Sequence, residues 1–343
     1  MQNTLELNKQ YEAFKAENPK VRIRDAAKQL GTTEAELIAA AVGTLVTRLS
    51  DDFRGILQSV ESLGKVMALT RNDYCVHERK GVYKNISFTG PMGLAVNPDI
   101  DLRLFMSVWS SAFAVDENGR KSLQFFAKDG EAVHKIYLLE ESDETAYANI
   151  VNEFKAADQQ AELVISKDKK AVEEKPDAEI DAAGFKEQWL TLKDTHDFHA
   201  LLRKFAVTRT QGLRLAPEGH AVKITADSLK AVMQKASDTD LEIMVFTGSA
   251  GCIQIHTGLV KKLVQAGPWY NVLDPDFNMH LRDDAIAAVW LVKKPTADGI
   301  VTSIEVFDAK GDIIVQFFGK RKPGIPENEH WRLMVNETAV IEA

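Results

Sequence analysis

Apolar residues recur at helical spacing at the start of the chain and alternate with polar residues further on. The helical pattern predicts three helices, over residues 5–15, 22–30 and 33–49. Thr33 is the expected N-cap of the third helix, with Glu36 at the N3 position of a capping box. The alternating segments predict strands with one buried face, because successive side chains of a strand point to opposite sides of the sheet.

The alternating segments come in two sets, each after a helical stretch. Residues 128–130 and 309–311 lie between alternating segments and are typical of hairpin turns. Helices followed by a run of strands are typical of an α+β fold with antiparallel sheet, rather than of a doubly wound parallel sheet. The predicted strands include residues 82–89, 102–105, 107–115 and 123–126, and then 243–247, 252–257, 286–292, 302–307 and 313–318.

The two sets are copies of one domain. Residues about 177 positions apart match in their apolar residues, glycines and prolines, and after a short insertion the offset grows to about 181. A period this long indicates a duplicated domain rather than a solenoid of short repeats. The matches include Val66-Met67 with Ile243-Met244, Cys75-Val76 with Cys252-Ile253, Asn97-Pro98-Asp99 with Asp274-Pro275-Asp276, and Phe126 with Phe307.

A charged segment separates the copies. Ten of the sixteen residues in 166–181 are charged, and such a composition cannot bury a core. We therefore expect an N-terminal repeat over residues 1–165, a linker over 166–181, and a C-terminal repeat over 182–343. Each repeat is expected to form an antiparallel sheet with flanking helices.

Composition narrows the class of protein. Apolar residues make up 45% of the 343 residues, which is enough for a substantial core. The net charge of −8 disfavours a general nucleic-acid binder. No apolar run is long enough to span a membrane, and the polar N-terminus does not resemble a signal peptide. With only two cysteines, both expected in the core, these features favour the cytoplasm.

The segment from Asp194 to His199 carries the most informative polar residues. Asp194 is a plausible N-cap with Asp197 at N3, and the following apolar stripe places His196 and His199 on a different face. The positive end of the helix dipole disfavours an imidazolium at His196, which favours a neutral imidazole able to bind a metal. Two exposed polar residues at a helix start would give the same pattern. A zinc pair lacks an apparent third ligand.

Cations near this segment could hold an anionic ligand. Arg209 follows in the same repeat, Lys294 precedes a proline, and Arg321 lies in a basic run after a predicted strand. A solvated strand end is the ordinary explanation for such a run. In the first repeat, alternation predicts Arg103 and Phe105 on one face of a strand, with Leu102 and Leu104 on the other. A flat aromatic ligand with carboxylates would suit such a surface, as would many other ligands.

Several longer segments resemble one known family. The duplicated architecture, Thr195-His196-Asp197-Phe198, residues 101–105, residues 242–246 and residues 294–299 are similar to the cytoplasmic hemin-degrading and hemin-transport proteins of the HemS/ChuS/ShuS type. The resemblance covers nearly the whole chain. It implies two stacked antiparallel sheets, with heme in a cleft of the C-terminal half.

The resemblance also implies roles for individual residues. His196 would be the proximal iron ligand and Arg103 would reach the distal side from the N-terminal half, so these two are the expected catalytic residues. His199 departs from the family, where phenylalanine is usual, and becomes a competing ligand; His280 matches a family histidine near the pocket. Arg209, Lys294 and Arg321 would contact propionates or line the pocket, and Phe105 and Phe246 would form apolar walls.

Two functions follow from the resemblance. The first is degradation of heme in the cytosol, by tetrapyrrole opening that needs a reductant and O₂ and releases iron. The second is a carrier or store that delivers heme or limits its toxicity. Heme b is the expected ligand and substrate, with an external electron donor. A reductase or a heme-delivering inner-membrane transporter is the expected partner. A duplicated scaffold for another flat anion is the remaining alternative.

Overall fold

The protein is an α+β protein built on antiparallel sheets with flanking helices. The structure is a computed structural model that describes residues 4–166, 174–322 and 324–341. Residues 167–173 of the predicted linker lie outside the described residues. No helix in the described ranges is long and apolar enough to cross a membrane. The α-helices are α1 (Thr4–Glu17), α2 (Ile23–Gln29), α3 (Glu34–Ala40), α4 (Phe53–Ser59), α5 (Glu144–Glu153), α6 (Ala182–Leu190), α7 (Asp197–Phe205), α8 (Arg209–Arg214), α9 (Ala226–Asp238) and α10 (Glu329–Thr338).

The strands form two nine-stranded sheets within the described residues. One has the order β1-β7-β8-β9-β2-β3-β15-β14-β13, and the other β10-β16-β17-β18-β11-β12-β6-β5-β4. The strands are β1 (Val46–Leu49), β2 (Lys65–Arg71), β3 (Cys75–Val82), β4 (Ile86–Thr89), β5 (Met92–Val96), β6 (Asp101–Phe105), β7 (Trp109–Glu117), β8 (Arg120–Ala127), β9 (Ala132–Leu138), β10 (Ala221–Ile224), β11 (Ile243–Gly248), β12 (Cys252–Gly258), β13 (Leu263–Ala266), β14 (Trp269–Leu273), β15 (Phe277–Arg282), β16 (Ala288–Thr296), β17 (Gly299–Phe307) and β18 (Ile313–Gly319).

The chain divides into two compact units of interleaved sequence. The first unit comprises residues 1–71, 77–169 and 248–254, and the second comprises residues 72–76, 170–247 and 255–343. The two cysteines are buried and unpaired at the starts of β3 and β12, as the apolar sequence around them predicts.

The first unit confirms the capping box but shortens the third predicted helix. The Thr33 side chain accepts a hydrogen bond from the Glu36 backbone N–H, and the Glu36 carboxylate accepts one from the Thr33 backbone N–H. The helix ends at Ala40, and residues 46–49 form β1 instead of its last turns. Gly43 adopts a φ of 91°, which breaks the helix, and β1 then pairs in antiparallel register with β7.

The part of the sheet formed by β10, β16, β17, β18 and β11, which lies in the second unit, has two unlike faces. Apolar side chains of α9 and α10, including Val232, Met233 and Trp331, pack with one face in a large core. The other face packs with α6, α7 and α8 through Trp189, Phe198 and other apolar residues. Farther along the second face, residues of β11 and β18 are only half-buried. Aromatic surface therefore remains accessible on one side of this sheet.

The helices of the two units confirm the tandem repeat. Thr33 caps α3 and Thr208 caps α8, each by accepting a hydrogen bond from the backbone N–H three residues on. Before each cap, the chain leaves the preceding helix through a left-handed residue. That residue is Gly31, with a φ of 68°, in the first unit and Ala206, with a φ of 52°, in the second. The helical parts therefore repeat at an offset of about 175 residues.

Candidate functional site

The loop before α7 holds His196 at the surface of the second unit. The helix begins at Asp197 with His196 as its N-cap, so the prediction of Asp194 as N-cap was wrong. The Asp194 side chain nevertheless accepts a hydrogen bond from a backbone N–H near the helix start, as an N-cap does. Its carboxylate accepts the His196 backbone N–H at 2.9 Å, and Asp197 accepts the Asp194 backbone N–H at 3.2 Å. These bonds order the turn formed by residues 194–197, which precedes the first turn of α7.

The imidazole of His196 is fixed at one nitrogen and accessible at the other. Its Nδ1 lies 2.6 Å from Oδ1 of Asp194, and 85% of the side chain is exposed. No described residue pairs with Nε2. The His196 backbone N–H, together with its ring and the nearby Arg321, lowers the pKa of the Asp194 carboxyl. This geometry suits a histidine whose Nε2 binds a metal while a carboxylate holds the other nitrogen.

His199 lies one turn further along α7 in a cationic environment. Desolvation by the surrounding protein, with Arg209 and Lys294 close by, lowers the pKa of His199 to about 4. The imidazole is therefore neutral across the physiological range and retains a lone pair that can bind a metal. His199 is therefore a second imidazole near the start of α7 that can bind a metal.

A buried ion cluster lies beside α7. Arg209 donates to both carboxylate oxygens of Glu305, from Nε at 2.7 Å and from Nη2 at 2.9 Å, and Lys294 Nζ lies 2.6 Å from Oε1. Ser303 adds a hydroxyl donor at 3.2 Å. Glu305 and Lys294 are buried, and Arg209 is nearly so. Two cations share one carboxylate, so the cluster carries one net positive charge.

Burial and charge act against each other in this cluster. Burial alone would raise the pKa of Glu305, but Arg209 and Lys294 outweigh it and hold that pKa well below its usual value. Burial lowers the pKa of Lys294 to about 8, although Glu305 opposes the shift. Both cations also lie near the ring of Phe198, with Lys294 Nζ at 4.5 Å and the Arg209 guanidinium at 5.2 Å from its centroid.

Phe246 lies on the half-covered face of the same sheet. Directly opposed residues of antiparallel strands point to the same side, so the register places Lys294, Ser303, Glu305, Gln316 and Phe246 on one face. Phe246 packs beside Phe318, with ring centroids 4.8 Å apart. Arg321 follows the end of β18 and is partly exposed. An aromatic surface and cations therefore share one face.

Arg103 and Phe105 lie on β6 in the first unit. The predicted alternation is confirmed: Leu102 and Leu104 are fully buried, and Arg103 and Phe105 are half-buried on the opposite face. Arg103 forms an ion pair with Asp101. Burial raises the pKa of Asp101 even though Arg103 lowers it in part. The arginine is thus held along its own strand.

Two other histidines differ in their surroundings. His280 is half-buried on β15, and its Nδ1 lies 2.7 Å from Oδ1 of Asn271. Asn271 donates its amide to two backbone carbonyls, which fixes the oxygen toward His280, so the histidine is the donor. His77 is fully buried on β3.

Glu305 and Phe318 are site residues that the sequence analysis missed. Glu305 is the one charged residue of strand β17, and a lone carboxylate at a buried position of a strand indicates a paired charge. Phe318 lies two positions after Gln316 on β18, so both side chains are on the same half-buried face. The strand pattern could have predicted both features, but it does not indicate which residues Glu305 and Phe318 contact.

These features define a class of protein. It is a duplicated α+β protein whose second unit has an imidazole at a helix start and a sheet face with half-buried aromatic residues and buried cations. The chain belongs to the family described as the haemin-degrading HemS.ChuX domain, which matches residues 31–154 and 206–338. The family predicted from the sequence is therefore confirmed.

Individual relatives match over nearly the whole chain. The hemin transport protein HmuS of Yersinia pestis is 38% identical over 331 residues, covering 95% of each chain. The structure of holo-PhuS, a heme-binding protein from Pseudomonas aeruginosa, is 46% identical with a TM-score of 0.97, over 99% of this chain and all of that one. The heme degrading enzyme ChuS of Escherichia coli O157:H7 is 34% identical with a TM-score of 0.91, over 98% and 99% of the two chains.

Proposed function

We propose that this chain binds heme through the iron and that His196 supplies the axial ligand. The observation that carries the proposal is the exposed imidazole of His196, held at Nδ1 by Asp194 with Nε2 accessible. A neutral histidine nitrogen is a common axial ligand of heme iron. The residues therefore fit the group. Holo-PhuS, a heme-binding protein of the same fold, supports the choice of ligand.

The surrounding residues suit the rest of a porphyrin. Phe246 and Phe318 offer flat apolar surface, and Arg321 offers a partly exposed cation for a propionate. Arg209 and Lys294 both donate hydrogen bonds to Glu305. They would therefore attract an anionic ligand through the net positive charge of the cluster rather than by donating hydrogen bonds to it. His199 is the competing axial ligand, since its lowered pKa keeps it neutral.

The activity that we propose is opening of the heme macrocycle with release of iron, after heme uptake. It requires O₂ and an external electron donor such as a reductase, and the protein orients the heme and excludes competing reactions. We also propose Arg103, whose guanidinium can donate hydrogen bonds, as a catalytic residue of this activity. The name of the enzyme ChuS supports degradation. We further propose that the protein works in the cytoplasm on heme b.

The alternative is a carrier that delivers heme without degrading it. The name of the hemin transport protein HmuS favours this function, with an inner-membrane transporter as the source of heme. Both functions require the same binding site. They differ in what happens when electrons are supplied.

Hemin titration with two matched variants tests the axial ligand. His196→Ala is expected to change the absorption spectrum of bound hemin and to weaken binding by at least about tenfold, because the axial bond is lost. His199→Ala, one helical turn away, is the control and should shift the spectrum less. Wild-type spectra in the His196→Ala variant would overturn the assignment.

Addition of reductant separates the enzyme from the carrier. Hemin-loaded protein receives ascorbate or a reductase with NADPH, in air and with catalase present to remove free peroxide. Loss of the Soret band with an open-chain tetrapyrrole in the mass spectrum is the result expected of the enzyme. An unchanged spectrum would establish the carrier.

A further inference from the structure

We infer that Asp194 is a positioning residue that fixes the tautomer and orientation of the His196 ring. The inference rests on the proposed function for its purpose, but its basis is the geometry of the loop before α7. The carboxylate accepts from both the backbone N–H and the ring Nδ1 of the same histidine, at 2.9 Å and 2.6 Å. Two bonds to one residue hold the ring and its backbone together.

The tautomer follows from the chemistry of the partners. In a neutral imidazole one nitrogen carries the proton and the other bears the lone pair. An ionised carboxylate only accepts, so the proton must lie on Nδ1 and the lone pair on Nε2. Nε2 is the nitrogen exposed to solvent, on a side chain with 85% of its area accessible. Asp194 therefore turns the free lone pair outward, toward an incoming metal.

The carboxylate is itself held in place. The backbone N–H of Asp194 donates to the Asp197 carboxylate at 3.2 Å, which fixes the turn that carries the Asp194 side chain. Asp194, His196 and Asp197 therefore form one small hydrogen-bond network. Such a network gives the histidine a stronger electron-donating character than an isolated imidazole has.

Substitution of Asp194 gives separable effects. Asp194→Asn keeps an oxygen that accepts from Nδ1 but removes the negative charge, whereas Asp194→Ala removes both. The matched control is Asp197→Asn, which removes a negative charge from the same turn without contact to the ring. Comparison of the three variants separates hydrogen bonding from charge and from general damage to the loop.

The first measurement uses the hemin-free protein. Nitrogen-15 NMR at alkaline pH reports which ring nitrogen of His196 is protonated, and His196→Ala identifies the signal. We expect the Nδ1–H form in the wild type, in Asp194→Asn and in Asp197→Asn, and a shift toward the Nε2–H form in Asp194→Ala. A predominant Nε2–H form in the wild type would overturn the inference.

The second measurement uses hemin-loaded protein. Asp194→Ala is expected to weaken hemin binding about tenfold, the usual scale for loss of an outer partner of a metal ligand. Asp194→Asn should raise the iron midpoint potential, because a neutral amide donates less electron density through the ring. Equal affinity and potential in Asp194→Ala and the wild type would overturn the inference. If the wild type bound no hemin, the proposed function would be wrong. The NMR measurement on hemin-free protein would still test whether Asp194 sets the tautomer of His196.

Discussion

Glu305 shows why part of the site escapes prediction from sequence. The alternation of β17 predicts a strand, but Arg209 precedes Glu305 by 96 residues, and nothing in the local pattern pairs them. The His196 segment was easier to identify because its residues lie within a few positions of one another. Short-range hydrogen bonds can be anticipated from spacing. Long-range ion pairs depend on how sheet and helix come together, which the strand pattern alone does not specify.

Glu327 offers a prediction on pH and stability. Its carboxylate is buried and accepts the Thr302 backbone N–H at 2.8 Å, and burial raises the pKa of Glu327 to about 7. The native state therefore keeps this proton to a higher pH than the unfolded chain does. Protonated Glu327 therefore contributes to the free energy of unfolding at acid pH, and this contribution is lost as the pH rises from roughly 4 to 7.

Glu327→Gln should remove this dependence. The neutral amide still accepts from Thr302, so we expect the free energy of unfolding above pH 7 to increase by about 1–3 kcal/mol. Urea unfolding at pH 5 and pH 8 measures the effect, with Glu187→Gln on the exposed surface of α6 as control. A Glu327→Gln protein less stable than the wild type at pH 8 would contradict the prediction.

The starts of helices were easier to predict than their ends. The capping box at Thr33 was read directly from the sequence, because it joins residues three positions apart. The end of α3 was missed, because helix and strand patterns run together across residues 41–49 and the pairing of β1 with β7 decides between them. At Asp194 the residue type was right for a cap, but the helix begins three residues later.

Ala206 gives a prediction at the level of one helix end. It follows α7 with a φ of 52°, a left-handed conformation that costs an alanine about 1 kcal/mol relative to glycine. The first unit has Gly31 at this position. Ala206→Gly should therefore raise the free energy of unfolding by about 0.5–1 kcal/mol, measured by urea unfolding.

The converse change in the first unit is the control for Ala206→Gly. Gly31→Ala places a Cβ on a residue with a φ of 68°, with no atom of the described residues within 4 Å of it. A loss of stability there would come from the backbone alone. If Ala206→Gly were instead destabilising, the left-handed conformation would not be the controlling feature of this helix end.

At the scale of the whole chain, the sequence predicted the duplication well and its asymmetry poorly. Glycines, prolines and apolar positions repeat because both units need the same turns and core faces. Polar residues at the site do not repeat. Glu34 begins α3 and pairs with Lys135 and Arg71, whereas Arg209 begins α8 and pairs with Glu305. Matching positions with opposite charges cannot be recognised by similarity.

This asymmetry predicts one axial histidine site per chain. The position in the first unit that matches His196 is Val21, which has no lone pair for a metal. Hemin titration followed by absorbance is expected to reach a single equivalence point at one heme per chain. A second equivalent with a histidine-ligated spectrum that persists in His196→Ala would contradict the prediction.

The cluster of Arg209, Glu305 and Lys294 has a consequence for redesign of the protein. Replacing Glu305 leaves two buried cations without a counter-charge, at a cost of about 3–5 kcal/mol, whereas replacing either cation leaves the other paired with Glu305. The two cations also lie over the ring of Phe198, which belongs to the core beneath α7. A change at Glu305 therefore requires a compensating change at Arg209 or Lys294, because these three residues determine both the charge beside α7 and the stability of the fold around it.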